Sequence, residues 1–192
     1  MKERRVIIGC GIFEDEARQA LKDEKRFDLE IRWLQSGYHV RTDWLADQIK
    51  LSLGEDSHQR LEDFRILYGT SCLIDLGEDV KSGLKILPTD NCLTAMVGRK
   101  RLRELEEGRT MVITNSWLRK IYLAPPNDFP LWDPVELRMN LGRYDRVLVL
   151  DTGLDGFTDE EILTAYDLMG VVLEFEKCDL GYFNGLVAEF LT

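Results

Sequence analysis

Apolar and polar positions along this chain fall into blocks whose period switches between that of a strand and that of a helix. Short apolar runs bounded by Gly, Asp or Pro read as buried strands over Arg4–Gly9, Leu29–Leu34, Phe64–Tyr68, Leu84–Leu87, Thr110–Thr114, Arg146–Leu150 and Val171–Phe175. Between them the spacing predicts helices over Phe13–Lys25, Thr42–Leu53, Asn91–Glu107, Asn115–Tyr122, Thr158–Met169 and Phe183–Leu191. Leu45, Ile49 and Leu53 recur at a spacing of four, which stacks them on one helix face. Asn115 is placed as the N-cap of its helix, and Thr158-Asp159-Glu160-Glu161 has the form of a capping box.

Strands alternating with helices imply βαβ units. The predicted fold is therefore α/β: a single domain over residues 1–192, with a mostly parallel, doubly wound, Rossmann-like sheet and helices on both faces. Ala124–Pro134 breaks the rhythm. Its four prolines, with Phe129, Leu131 and Trp132, predict an ordered surface loop. Its aromatic and aliphatic side chains would serve as anchors if the protein docks on a partner.

Composition narrows the function. A net charge of −10 opposes a nucleic-acid surface. The basic run Arg99-Lys100-Arg101-Leu102-Arg103 shares its predicted helix with Glu104, Glu106 and Glu107, and reads as a solvated face. No apolar run approaches the roughly 20 residues of a membrane span. The charged start Met1-Lys2-Glu3-Arg4-Arg5 lacks the form of a secretory signal, so a cytoplasmic protein is expected. In that compartment four separated cysteines point to thiols or metal ligands rather than disulfides.

Four of the predicted strands run out into a residue that can bind metal: Cys10 after the first, His39 after the second, then Cys72 and Cys92. In a parallel sheet all strand exits line one edge, where ligands of α/β proteins bind. Three thiols and an imidazole suit a tetrahedral zinc site, or iron. Their separations of 29, 33 and 20 residues resemble no short Cys-x-x-Cys pair, so convergence rests on the fold. A lone cysteine at a strand end also serves as a small apolar filler. Asn115 and Trp117 after one later strand, and Thr152 and Gly153 after another, are candidate walls of a cofactor site, with ordinary turn and cap chemistry as the alternative. Gly9-Cys10-Gly11 opens like a dinucleotide fingerprint, but Glu14 replaces its third glycine and would repel a pyrophosphate. Cys10 or Cys72 acting as a nucleophile beside His39 is a further alternative.

The segments Ile8-Gly9-Cys10-Gly11, Gly37-Tyr38-His39-Val40-Arg41, Tyr68-Gly69-Thr70-Ser71-Cys72, Asp90-Asn91-Cys92-Leu93, Thr114-Asn115-Ser116-Trp117 and Asp151-Thr152-Gly153-Leu154 together resemble one family, domain of unknown function 1638. The order and spacing of these segments, rather than any single motif, carry the resemblance. It implies a one-domain α/β protein of anaerobic microbes, with some members encoded beside corrinoid-dependent methyltransferases. It also implies Cys or His near positions 10, 39, 72 and 92. The expectation is thus a metal-binding protein of methyl-group or one-carbon metabolism. A non-catalytic accessory protein docking on a methyltransferase or corrinoid protein is the alternative. A bound corrinoid is conceivable on the same ground, although no motif for it is present. The chain departs from the family after Cys72, where Leu73-Ile74-Asp75 replaces a frequent second histidine or glycine-rich element.

Overall fold

A computed structural model describes residues 2–37, 41–54, 60–125 and 133–192. It contains strands β1 (Glu3–Cys10), β2 (Phe27–Leu34), β3 (Phe64–Leu67), β4 (Lys85–Ile86), β5 (Thr110–Thr114), β6 (Arg146–Asp151) and β7 (Val172–Lys177). The helices are α1 (Glu14–Leu21), α2 (Thr42–Gly54), α3 (Glu78–Lys81), α4 (Cys92–Leu105), α5 (Asn115–Trp117), α6 (Pro134–Leu141), α7 (Asp159–Met169) and α8 (Gly181–Leu191). All strand pairings are parallel, and the architecture is Rossmann-like α/β. The strands are shared between two sheets, one ordered β2-β1-β3-β4 and the other β5-β6-β7. The chain divides correspondingly into two compact units, residues 1–95 with 181–192, and residues 96–180. No helix among the described residues is long and apolar enough to cross a membrane.

In the first unit β1 lies between β2 and β3, with Ile7 level with Ile31 and Arg65. An inner parallel strand is covered on both faces, so its side chains do not alternate. Val6, Ile7 and Ile8 are accordingly at most 1% exposed, which is why β1 reads as a continuous apolar run. The C-terminal helix α8 returns to this unit and packs on α1, with the Phe13 and Phe183 rings stacked 5.5 Å apart.

In the second unit β6 is the inner strand, and Val147 and Val149 are fully buried. The capping box at the start of α7 forms as expected: Glu161 N donates to Thr158 Oγ1 at 3.2 Å, and Thr158 N donates to Glu161 Oε2 at 2.9 Å. Two other expectations are corrected. The predicted helix Asn91–Glu107 is broken at Gly98, whose φ of 78° a side chain would resist, so its basic run lies beyond a kink. Asn115 is not the N-cap of its helix. Thr114 takes that role, its Oγ1 accepting from Trp117 N at 3.2 Å. The helix then continues with π geometry through Leu118–Leu123. Of the predicted loop Ala124–Pro134, residues 126–132, with Phe129, Leu131 and Trp132, lie outside the described residues. Its last two residues begin α6, with Asp133 Oδ1 accepting from Val135 N at 2.8 Å and Pro134 in the first turn.

Because Phe13 and Phe183 are at most 2% exposed, Phe183→Ala leaves a cavity between α8 and α1. A loss of about 3–5 kcal/mol is expected, read as a lower urea midpoint in equilibrium unfolding.

Candidate functional site

Each sheet has its own carboxyl edge. In the first unit, β1 ends in Cys10, which is 6% exposed. The chain then makes a 3-10 turn over Gly11–Phe13. A Cβ on Gly11 would fall 2.8 Å from Ser36 Oγ and 3.0 Å from the Leu34 carbonyl oxygen. The segment after β1 therefore runs directly against the segment after β2, and only a residue without a side chain fits between them. That second segment continues through Gly37 to His39, which lies outside the described residues.

β3 runs into Tyr68 and Gly69 and then a 3-10 turn over Thr70–Cys72. This turn is bonded to the segment after β4. Thr70 N donates to Thr89 O at 2.8 Å, and Ser71 N to Asp90 O at 2.9 Å. A Cβ on Gly69 would sit 2.4 Å from Asp90 O, so the two segments touch backbone to backbone. Cys92 opens α4, whose first turn is capped by Asn91 Oδ1 accepting from Thr94 N at 2.9 Å. Thr42, at the start of α2, donates its hydroxyl to Asp75 Oδ2, which ties the α2 end to the chain just past Cys72.

The structure thus delivers Cys10, Cys72 and Cys92 to one edge on neighbouring segments. It does not gather them into a finished cage: among the described residues no three His, Cys, Asp or Glu are grouped so as to hold a metal ion. The four cysteines carry no disulfide. Burial pushes the Cys72 thiol up from its ordinary range, so it keeps its proton at neutral pH.

The second edge is built from oxygen and nitrogen. Asn115, the first residue beyond β5, is 2% exposed. Its Nδ2 donates to Asp151 Oδ1 at 2.9 Å and to the Asp155 carbonyl at 2.8 Å, bridging the exit of β5 to that of β6. Its Oδ1 is a buried acceptor with no donor among the described residues. Asp151 also accepts from Gly153 N at 2.9 Å and lies level with Lys177 of β7. The Asn115 amide first, then the Gly153 N–H and the Lys177 charge, hold its carboxyl below the ordinary value against some desolvation.

Arg119 of the π segment fastens the same loop from its far side. It pairs with Asp155 Oδ2 at 2.5 Å and with Glu161, donates to the Gly156 carbonyl at 2.7 Å, and lies 4.7 Å from the Phe157 ring centroid. Of the four suggested walls, Asn115 and Gly153 meet at Asp151. Trp117 is half-buried on α5 and Thr152 half-buried in the loop, and neither is among the donors to Asp151 described above. The sequence reading named Asp151 only as part of the exit Asp151-Thr152-Gly153 and gave it no role, and it missed Arg119. An acid closing an otherwise apolar strand was the available signal for the first.

A family model described as "Protein of unknown function (DUF1638)" matches residues 33–187. The chain belongs to this family. A comparison with curated proteins finds no match, and neither does one with solved structures. The region matched by the domain of unknown function 1638 model contains His39, Cys72, Cys92, Asn115 and Asp151, while Cys10 precedes it.

Asn115→Ala removes both amide donors. The Asp151 carboxyl is expected to rise toward its ordinary value, followed by NMR titration, with a loss of about 1–3 kcal/mol in urea unfolding at neutral pH. A carboxyl held low in the folded state stabilises above its unfolded pKa, and that contribution vanishes as pH falls through the folded value. The difference between wild type and variant should therefore narrow in acid.

Proposed function

We propose that the carboxyl edge of the first sheet is a soft-metal site in which Cys10, His39, Cys72 and Cys92 take up a zinc or ferrous ion. The observation that supports this reading is the strand order β2-β1-β3-β4, which sets side by side the four strands that precede these residues in the chain. The close approach at Gly11 and the backbone bonds joining residues 70 and 71 to residues 89 and 90 support it. Thiolate and neutral imidazole are the donors such ions prefer, and among the described residues Cys178 is the one cysteine that does not follow a strand of this sheet.

The ion would draw the ligands in, since the thiols are not grouped beforehand. It would also favour deprotonation: binding of the cation to sulfur displaces the thiol proton into solvent, which offsets the upward push of burial on the pKa. With all four residues bound the site is closed, and its role is structural or carrier-like. With one position released, the ion could lower the pKa of a substrate thiol and make it a methyl acceptor. The family resemblance suggests methyl-group or one-carbon metabolism as the setting, with a methyltransferase or corrinoid protein as the partner class.

Protein purified without oxygen should carry about one metal ion per chain by elemental analysis, and its thiols should resist iodoacetamide until a chelator is added. Cys72→Ser and Cys92→Ser should each lower the metal content several-fold. A metal content near zero in the wild type, unchanged by either substitution, overturns the reading. A single thiol that alkylates at once, with the others slow, favours a nucleophile instead.

A further inference from the structure

We propose that the edge where the strands of the first sheet begin binds a tetrahedral oxyanion, phosphate or sulfate in class, on Arg65, with Arg5 and Lys85 beside it. Arg65 of β3 is level with Ile7 of β1 and with Lys85 of β4. Level residues of a parallel ladder share a face, as do residues two apart on one strand. Arg5, Arg65 and Lys85 therefore lie on one face near the strand starts, at the opposite end of the sheet from Cys10.

Burying a charge is costly unless an opposite charge meets it. Arg65 is 4% exposed and Arg5 7% exposed, yet only Arg5 is met by acids. Glu3 pairs with Arg5 at 2.6 Å and Asp63 at 3.5 Å. The other oxygen of Asp63 accepts from Arg60 N at 3.3 Å, and Glu62 pairs with Arg60 at 2.6 Å. Arg65 is left with two carbonyls: its Nη1 donates to Glu62 O at 2.7 Å and to Phe64 O at 3.1 Å. Its Nε is a buried donor with no acceptor among the described residues, and its Nη2 makes no hydrogen bond there either.

The unused edge of this guanidinium names the ligand. Nε–H and one Nη2–H point the same way and form the fork that takes two oxygens of one anion. In Arg65 that fork is what remains once Nη1 has met the carbonyls. Burial, and after it the Arg5 charge, holds the Arg65 guanidinium below the ordinary arginine value, against the pull of Glu3 and Asp63. An anion on the fork would supply both the missing acceptors and the missing counter-charge. A carboxylate has two oxygens, which the fork alone consumes. A phosphate or sulfate has further oxygens for Lys85, which is exposed, makes no ion pair among the described residues and can close over the anion.

The test is titration of the full wild-type chain with inorganic phosphate at constant ionic strength. Saturable binding is expected, with a dissociation constant of about 1 mM or tighter. The Arg65 Nε–H signal should move in nitrogen–proton spectra, and the thermal midpoint should rise as the site fills. General stabilisation by a kosmotropic salt neither saturates nor needs Arg65. Arg65→Lys keeps the charge but loses the fork, and should weaken binding at least about tenfold. Lys85→Ala, at an exposed position that the fold tolerates, should weaken it several-fold. Acetate should bind at least about tenfold more weakly than phosphate in the wild type. Glycerol phosphate binding as well as phosphate supports an esterified phosphate as the ligand, and its exclusion supports the free ion. No saturation by about 10 mM phosphate, where a millimolar site would be nearly full, overturns the proposal. So does binding that both substitutions leave unchanged, or acetate binding as tightly as phosphate.

Discussion

Parallel pairing of a strand covered on both faces is the constraint on which the rest depends. The backbone donors and acceptors of β1 have no water to turn to, so they must be met by β2 and β3. Val6, Ile7 and Ile8 make the register costly to change, because a shift of one residue would exchange the side chains of two packed faces. Once the three strands are aligned and parallel, their exits share an edge, whatever residues stand there. The site proposed for the first unit rests on that alignment: the residues assigned to it are far apart in the chain, and only the strands that precede them are shown to be neighbours.

The exits are then fixed at short range by backbone rather than by side chains. Gly11 against Ser36 and Gly69 against Asp90 leave no room for a Cβ, and the bonds from Thr70 and Ser71 close the second of these contacts. The second unit solves the same problem with side chains. There Asn115 spans from β5 to the β6 loop, and Arg119 gathers Asp155, Gly156, Phe157 and Glu161. A backbone contact sets position and leaves the nearby side chains to a ligand. A side-chain bridge uses its own polar groups for the structure, apart from an acceptor such as Asn115 Oδ1.

How much of this could be read from the sequence follows the range of the interactions. The inner strands were legible because burial on both faces writes an unbroken apolar run, and the α7 start because a capping box lies within four residues. The N-cap of α5 was assigned one residue late. Thr114 and Asn115 are both good caps, and the deciding fact is that Asn115 is claimed by Asp151, 36 residues away. The start of α6 at Asp133-Pro134 was written locally, as a cap followed by proline, but the prolines before it concealed the signal. The division of seven strands between two sheets has no local signature at all. It depends on which edges pair, and strand sequences do not state that.

The two edges also differ in the sense of their electrostatics, and this bears on chemistry. At the first, burial leaves Cys72 protonated. At the second, an amide, a backbone N–H and a lysine keep Asp151 ionised. A catalytic thiol needs its surroundings to favour thiolate, through a cation or a helix terminus acting on it. Desolvation acts in the opposite direction, so the environment of Cys72 works against unaided nucleophilic attack. A metal ligand has no such requirement, because the ion itself stabilises the thiolate, and a dry surrounding strengthens that attraction. The same burial that works against Cys72 as a nucleophile is compatible with the ligand role proposed for it. It also makes the affinity of the proposed site fall as pH falls, since each thiol must lose a proton to bind.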